Sequence, residues 1–224
     1  MKPYLKRAWA EVSLPQLKKN YDIIKSLNSS STEIMAVVKA DAYGHGDEHI
    51  IRCLAHDCGV KYFAVSNLDE AIAVRKFCPD AEILILGFTP GEYAHEISMY
   101  NIIQGVVSAE YAEELANNTP EPIRCHIKID TGMGRIGLKY DTPEECADEI
   151  MRIMKIEKIC VEGIYTHFAV ADSDSPDNIA YTDKQEKFIL DVRDILISRG
   201  VKLPHVHFMN SAATCYRNSA ESTL

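Results

Sequence analysis

The stretch AVVKADAYGHG, residues 36–46, places a lysine at the junction between a buried strand and a glycine-rich turn. The apolar, partly β-branched run at residues 34–38 is typical of a buried strand, and Lys39 follows it directly. A lysine that is partly desolvated at such a junction can act as a nucleophile or a base near neutral pH. Position alone is equally compatible with a lysine whose charge simply reaches solvent.

The composition of the 224-residue chain is that of one ordinary globular domain, with 46% hydrophobic and 25% charged residues. A net charge of -9 without a local Lys/Arg cluster argues against a nucleic-acid-binding surface. No apolar run approaches the roughly 18 residues of a membrane span. The seven cysteines are scattered and form no CxxC pair, which indicates reduced thiols. The sequence therefore predicts a cytoplasmic protein without a nucleic-acid or membrane partner.

Strand patterns alternate with helical patterns along the whole chain. After a possible short strand at 5–14, strands are predicted at 34–39, 62–66, 82–86, 102–107, 123–129, 159–166 and 206–209. Helices are predicted at 13–27, from Asp47 to about residue 59, and at 68–77, 92–99, 109–116, 143–154 and 181–199. This alternation implies right-handed βαβ units and a parallel sheet, either open and doubly wound or closed into a barrel.

Distinctive polar residues follow the predicted strand ends, and their placement favours the closed arrangement. In a barrel, the carboxyl ends of the strands converge on one mouth, where active sites lie. A TIM-type (β/α)8 barrel therefore explains the pattern more economically than an open sheet does. The chain contains seven strands counted from residue 34, so we expect a barrel truncated before its last strand. The residues at the strand ends are Lys39, Ser66, Arg135, His167, Asn210 and Ser211.

The nine residues from Val38 to Gly46 resemble the signature of the alanine racemase family without interruption. This resemblance implies a fold type III enzyme in which Lys39 holds pyridoxal 5'-phosphate as a Schiff base and serves as one of two catalytic bases. Tyr43 matches the family tyrosine whose hydroxyl reaches the cofactor phosphate. Without the motif, Tyr43 would more simply be a tyrosine that packs the turn.

A second block, HIKIDTGMGRIG at residues 126–137, is similar to the same family. Lys128 and Asp130 share one strand face, which we expect to point toward the mouth. Arg135 follows two glycines that allow a tight turn near a bound anion. The resemblance implies that Arg135 contacts the phenolate side of the cofactor and that Lys128 can be carbamylated and orients this arginine.

Two further blocks complete the resemblance. In EGIYTHFAVAD, residues 162–172, the matching histidine is His167, which is implied to lie beside the cofactor ring. In HVHFMNSAAT, residues 205–214, Asn210 and Ser211 lie at a strand-to-helix junction, where backbone amides bind phosphate well. The matching family serine, Ser211, is a phosphate ligand, and Asn210 is predicted beside it.

The family sequence continues beyond residue 224, with an arginine opposite the pyridine nitrogen and a C-terminal β-domain. That domain supplies the second base, a tyrosine, to the partner subunit. We therefore expect residues 1–224 to be the N-terminal barrel domain of a homodimeric alanine racemase, nearly inactive alone. The resemblance implies interconversion of L- and D-alanine, or of serine in a close relative, which supplies peptidoglycan precursors.

Three alternatives stay open at this point. The first is a stand-alone barrel that binds pyridoxal phosphate, although its glycine-serine-methionine phosphate motif is not found. The second is a metal-dependent barrel hydrolase, which the HxH pair His205 and His207 and the nearby Lys128 superficially resemble. Structural histidines are the preferred interpretation of this pair, and no metal is predicted. The third is a non-enzymatic interaction domain, because an unclosed sheet edge invites pairing with another chain.

Overall fold

In the part of the chain that the structure describes, seven parallel strands pair in chain order and form one curled sheet. The computed structural model describes residues 9–217 and 221–224. The strands are β1 (Met35–Val37), β2 (Tyr62–Val65), β3 (Glu82–Ile85), β4 (Ile103–Val106), β5 (Ile123–Lys128), β6 (Ile159–Tyr165) and β7 (His205–His207). Each predicted strand of the alternation is confirmed, with ends that differ by at most two residues. The α/β class is therefore confirmed as well.

Helices follow the strands on the outside of the sheet. They are α1 (Leu14–Leu27), α2 (Lys39–Gly44), α3 (Asp47–Arg52), α4 (Leu68–Phe77), α5 (Ala94–Met99), α6 (Ala109–Asn117), α7 (Pro143–Ile153), α8 (Pro176–Ser198) and α9 (Ser211–Tyr216). A π-helical turn at Cys53–Asp57 extends α3, and a 3-10 turn at Gly91–Tyr93 precedes α5.

Side-chain caps set the beginnings of several helices. The hydroxyl of Ser13 accepts the N–H of Gln16 at the start of α1. Residues 9–13 form no strand, and the predicted strand at 5–14 is therefore wrong there. Residues 5–8 of that prediction lie outside the described residues. Helix α8 begins at Pro176 rather than at residue 181, because Ser175 caps it and a proline at the first position is preorganised for a helix.

Close packing of the sheet requires a glycine in β4. A Cβ atom on Gly105 would lie 2.6 Å from the Tyr165 hydroxyl and 2.8 Å from the carbonyl oxygen of Ile85. Tyr165 and Ile85 are both buried, so neither neighbour can move into open space. The absence of a side chain at Gly105 therefore allows the Tyr165 ring to occupy the interior of the curled sheet.

A cluster of histidines fills the interior next to Tyr165. The two residues of the HxH pair both face inward, as their shared strand face predicts. His207 stacks parallel to the Tyr165 ring at 4.9 Å and shares a 2.9 Å hydrogen bond with His126. His205 packs on the other side of His126, with ring centroids 5.5 Å apart. Both histidines of the HxH pair thus pack against aromatic neighbours inside the barrel.

The two edges of the sheet come close together, which shows the curvature of a barrel. Thr223 donates its N–H to the carbonyl oxygen of Val206 in β7, and its own carbonyl accepts the N–H of Glu33, just before β1. One residue thus bridges both edges, so the gap between β1 and β7 is about one strand wide. The arrangement is that of a (β/α)8 barrel truncated before its last strand, as predicted.

Within residues 9–217 and 221–224, no helix is both long and apolar enough to cross a membrane. All seven cysteines are free thiols.

Candidate functional site at the barrel mouth

The lysine at the end of β1 begins an unusual turn. In α2, four consecutive residues, Ala40 to Tyr43, have φ angles between 51° and 57° and ψ angles between 36° and 55°. This is the left-handed helical conformation, which costs roughly 1–2 kcal/mol for each residue with a side chain. The turn brings Tyr43 back toward Lys39, and the Lys39 ammonium lies 5.9 Å from the centre of the Tyr43 ring. The two residues that the first motif predicted as cofactor contacts are therefore neighbours.

Local hydrogen bonds hold the left-handed turn together. The N–H of Ala42 donates to the Val38 carbonyl at 3.0 Å, and the N–H of Gly46 donates to the Asp41 carbonyl at 3.1 Å. The carboxylate of Asp41 accepts the N–H of Asp47 at 2.8 Å, which ties the turn to the start of α3. Helix α3 begins at Asp47, and Gly46 occupies the cap position before it.

The loop after β5 is organised by the carboxylate of Asp130. One oxygen accepts the N–H groups of Gly132 and Gly134 at 3.0 Å, and the other accepts that of Arg135 at 2.9 Å. Burial alone would raise the pKa of Asp130, but these N–H groups hold it below its ordinary value. Asp130 therefore closes the loop and fixes the backbone of Arg135.

Lys128 lies below this loop, at the end of β5. Its side chain is 5% exposed, and its ammonium lies 4.7 Å from the centre of the Tyr165 ring. Burial, followed by the positive charges of Arg135 and Lys39, lowers the pKa of Lys128 to about 8, while Asp130 opposes the shift. Lys128 thus lies near Arg135 and Lys39 at the barrel mouth, as expected for its strand face.

His167, just after β6, lies beside the same cations. Burial, together with the charges of Lys128, Arg135 and Lys39, lowers the pKa of His167 to about 4. The imidazole is therefore neutral at physiological pH. Together with Lys128 and Arg135, His167 lines a cleft whose other walls are Ile129, Asp130, Met133, Ile136 and Thr166.

The strand-to-helix junction after β7 is held by Asn210. Its side-chain oxygen accepts the N–H of Ala213 at 3.0 Å, and its amide nitrogen donates to the carbonyl of Phe168 at 3.3 Å. Both ends of the Asn210 amide thus serve the fold, and a direct contact with a cofactor stays a prediction. Ser211 is the first residue of α9, and it is exposed.

Gln185 on α8 supports the mouth and was missed by the sequence analysis. It is 1% exposed, and its side-chain oxygen accepts the N–H of Ala169 at 3.0 Å. Its amide nitrogen donates to the hydroxyl of Thr131 at 3.2 Å, and this hydroxyl also contacts Thr166 at 2.8 Å. The available signal was its spacing, because it continues the apolar stripe Ile189, Val192 and Leu196 at helical intervals.

The chemistry of this mouth suits an anionic small molecule that a lysine can attack. Lys39, Lys128 and Arg135 supply positive charge, whereas the nearby carboxylate of Asp130 is already occupied by backbone N–H groups. Within the part of the chain that the structure describes, no three His, Cys, Asp or Glu residues are arranged to hold a metal ion. The site therefore defines a barrel domain with a lysine at a cationic mouth, and pyridoxal phosphate fits this set of donors.

Comparison with known proteins agrees with that class. The family described as "Alanine racemase, N-terminal domain" matches residues 12–224. "Alanine racemase 1" of Oceanobacillus iheyensis is 40% identical over 210 residues, which cover 92% of this chain and 54% of the relative. The chain belongs to the alanine racemase family.

Solved structures show the same relationship in three dimensions. An alanine racemase of Clostridium difficile 630 superposes with a TM-score of 0.87 at 35% identity and covers 99% of this chain. The match covers 57% of that protein, so the chain spans little more than half the length of its relatives. A histidine racemase of Leuconostoc mesenteroides subsp. sake has a TM-score of 0.79 at 28% identity, over 91% of this chain and 53% of that one.

Proposed function

We propose that this chain is the cofactor-binding barrel of a pyridoxal phosphate-dependent alanine racemase. The observation that carries the proposal is the convergence of Lys39 with Lys128, Arg135 and the neutral imidazole of His167 at one mouth. The similarity to proteins named alanine racemase supports the reaction class. Pyridoxal phosphate, when bound, stabilises the negative charge that develops at the α-carbon of an amino acid when a proton leaves.

The residues of the chain have distinct roles in this proposal. Lys39 would hold the cofactor through Nζ, and the same amine would carry the α-proton on one face of the substrate. Tyr43 and Ser211 donate hydroxyl hydrogen bonds to the phosphate. Arg135 holds the phenolate oxygen, and His167, neutral at physiological pH, lies beside the ring. Asn210 places Ser211 by capping α9.

The oligomeric state, the cellular location and the substrate are proposals as well. We infer a homodimer in which a second base, a tyrosine, comes from the partner subunit, because Lys39 can serve only one face of the substrate carbon. We propose a cytoplasmic enzyme that supplies D-alanine for peptidoglycan, with serine as the alternative substrate. The proposed domain, residues 1–224, covers the barrel and carries one of the two bases.

Cofactor binding by the chain tests the central claim. We expect pyridoxal phosphate to produce a visible absorbance band, and borohydride reduction to leave a pyridoxyl group on the peptide that contains Lys39. Lys39→Ala abolishes both signals, because no amine remains at the end of β1. Lys61→Ala is the matched control, since the Lys61 side chain is 71% exposed. A band that survives Lys39→Ala, or a pyridoxyl group on another lysine, would contradict the proposal.

Racemisation tests the reaction itself. We expect the 224-residue chain to bind the cofactor yet to convert L-alanine very slowly, because only one base is present. The same chain joined to the C-terminal half of the Oceanobacillus relative should racemise alanine faster than serine or histidine. Turnover by the 224-residue chain alone within roughly 1–1000 per second would refute the need for a second base. A preference of the joined protein for histidine would refute the assigned substrate.

A further inference from the structure

The carboxylate of Glu70, on α4, makes three hydrogen bonds that connect two strand ends. One oxygen accepts the N–H of Ala40 at 2.8 Å. The other accepts both the N–H and the hydroxyl of Ser66 at 2.8 Å. Ala40 directly follows Lys39, and Ser66 directly follows β2. A single side chain thus joins the reactive-lysine turn to the neighbouring strand.

This use of the glutamate differs from its usual role at a helix start. Asn67 caps α4 by accepting the N–H of Glu70 at 3.0 Å, which is half of a capping box. In a complete box the glutamate would reach back to the N–H of Asn67 itself. Here the same carboxylate also extends to Ser66 and across to Ala40. The backbone hydrogen bonds also hold the pKa of Glu70 below its ordinary value, although burial alone would raise it.

We propose that Glu70 is a positioning residue that clamps the first amide of the left-handed turn and so presents Lys39 and Tyr43 in their binding geometry. The proposal rests on the function assigned to Lys39 above. Residues 40–43 also form hydrogen bonds with His45 and Asp47, which are close in sequence. Within residues 9–217 and 221–224, Glu70 is the residue of another strand–helix unit whose side chain bonds to this turn.

The conformation of the turn explains why such a clamp matters. Ala40, Asp41, Ala42 and Tyr43 are four adjacent left-handed residues, a strained arrangement that persists only when its surroundings enforce it. Once the clamp is lost, the turn can relax into right-handed conformations in which Lys39 and Tyr43 separate. The apparent affinity for a ligand falls in proportion to the fraction of molecules that keep the competent conformation.

Amide hydrogen exchange of the cofactor-free protein tests the clamp directly. In Glu70→Ala we expect at least about tenfold faster exchange in the peptide covering residues 39–46, because a charge-assisted hydrogen bond is lost. Exchange in α8 serves as the internal reference for global unfolding. Glu70→Gln keeps one acceptor oxygen and should lie between Glu70→Ala and the native protein. Asp69→Asn is the matched control, since Asp69 lies in the same helical turn and is exposed.

Cofactor affinity provides the second measurement. We expect the dissociation constant for pyridoxal phosphate to rise about tenfold in Glu70→Ala and to stay within about twofold in Asp69→Asn. Unchanged exchange at residues 39–46 in Glu70→Ala would overturn the clamp. Faster exchange with unchanged affinity would overturn the positioning role. If the native protein forms no pyridoxyl group on Lys39 while Glu70→Ala still accelerates exchange, the function proposed for Lys39 fails and the clamp stands.

Discussion

Lys128 is a cation in surroundings that disfavour a cation. Burial and the charges of Arg135 and Lys39 lower its pKa from 10.5 to about 8, so a large fraction of the amine is neutral near that pH. A neutral amine can add carbon dioxide: a nitrogen–carbon bond forms and one proton is released. The resulting carbamate is an anion beside Arg135, and it would orient this guanidinium toward a bound phenolate.

Carbamylation of Lys128 is therefore an expected outcome. Isotopically labelled bicarbonate should produce a carbamate carbon signal in the NMR spectrum of the protein at pH about 8, weaker at pH about 6 because more of the amine is protonated there. Lys128→Met should remove the signal. Lys187→Met is the control, since the Lys187 side chain is 74% exposed. A signal that persists in Lys128→Met would show that another amine is modified.

The residues that could be predicted from the sequence are those inside compact motifs. Lys39 and Tyr43 are four positions apart, so their proximity follows from the chain itself. Glu70 could not be assigned in this way, because its partner Ala40 lies 30 residues earlier and meets it only after β1 and β2 have paired. Gln185 reaches Thr131 across 54 residues for the same reason.

Between β5 and α7, the loop depends on a glycine at its end. Gly137 has a φ of 131°, and a Cβ atom there would lie 2.9 Å from the backbone nitrogen of Asp130 and from the carbonyl oxygen of Lys128. Both neighbours are backbone atoms engaged in hydrogen bonds with Leu138. A side chain at Gly137 would therefore displace the segment that carries Asp130.

We expect Gly137→Ala to lower the free energy of unfolding by about 2–4 kcal/mol, because conformational strain and a backbone clash add. Gly134→Ala is the matched control: its φ of 71° is also left-handed, but nothing lies within 4 Å of the added Cβ. Its expected cost is about 1 kcal/mol, the strain alone. Urea denaturation measures both values. Equal costs for the two variants would mean that the contacts around Gly137 relax freely.

Strands could be predicted closely because burial on both faces leaves continuous apolar runs, as in the buried residues Ile83, Leu84 and Ile85 of β3. The left-handed turn in α2 could not, since Ala, Asp and Tyr have no strong preference for positive φ and the tertiary structure imposes it. The start of α8 was signalled by Ser175 and Pro176, a cap followed by a proline, and the apolar pattern alone placed it too late.

At the scale of the whole molecule, strand alternation could not separate an open sheet from a barrel, because both consist of the same βαβ units. The curvature of the sheet distinguishes the two, and this curvature depends on close packing such as that of Gly105 against Tyr165. It becomes visible where Thr223 bonds to both edges of the sheet. The placement of polar residues after the strands was the useful signal, since it reflects where the strand ends meet.

The histidines enclosed by the barrel are neutral in the folded protein. Burial, with repulsion from the neighbouring histidine and arginine charges, lowers the pKa of His126 to about 3, and the pKa values of His205 and His207 are lowered mainly by burial as well. In the unfolded chain these groups take up protons near the ordinary value of 6.5. The unfolded state therefore binds more protons below pH about 6.5, so stability must fall as the pH decreases from there.

Removal of one buried histidine should weaken this pH dependence. Each such group contributes up to about 1.4 kcal/mol per pH unit to the slope of the unfolding free energy below pH about 6.5. We expect His126→Gln to reduce the slope between pH about 6 and pH about 5 by about 1 kcal/mol per unit, measured by urea denaturation at each pH. His95→Gln, at an exposed position on α5, is the control and should leave the slope unchanged. Because the carboxylates titrate mostly at lower pH, this window isolates the histidines. An unchanged slope in His126→Gln would mean that His126 becomes protonated without unfolding of the barrel.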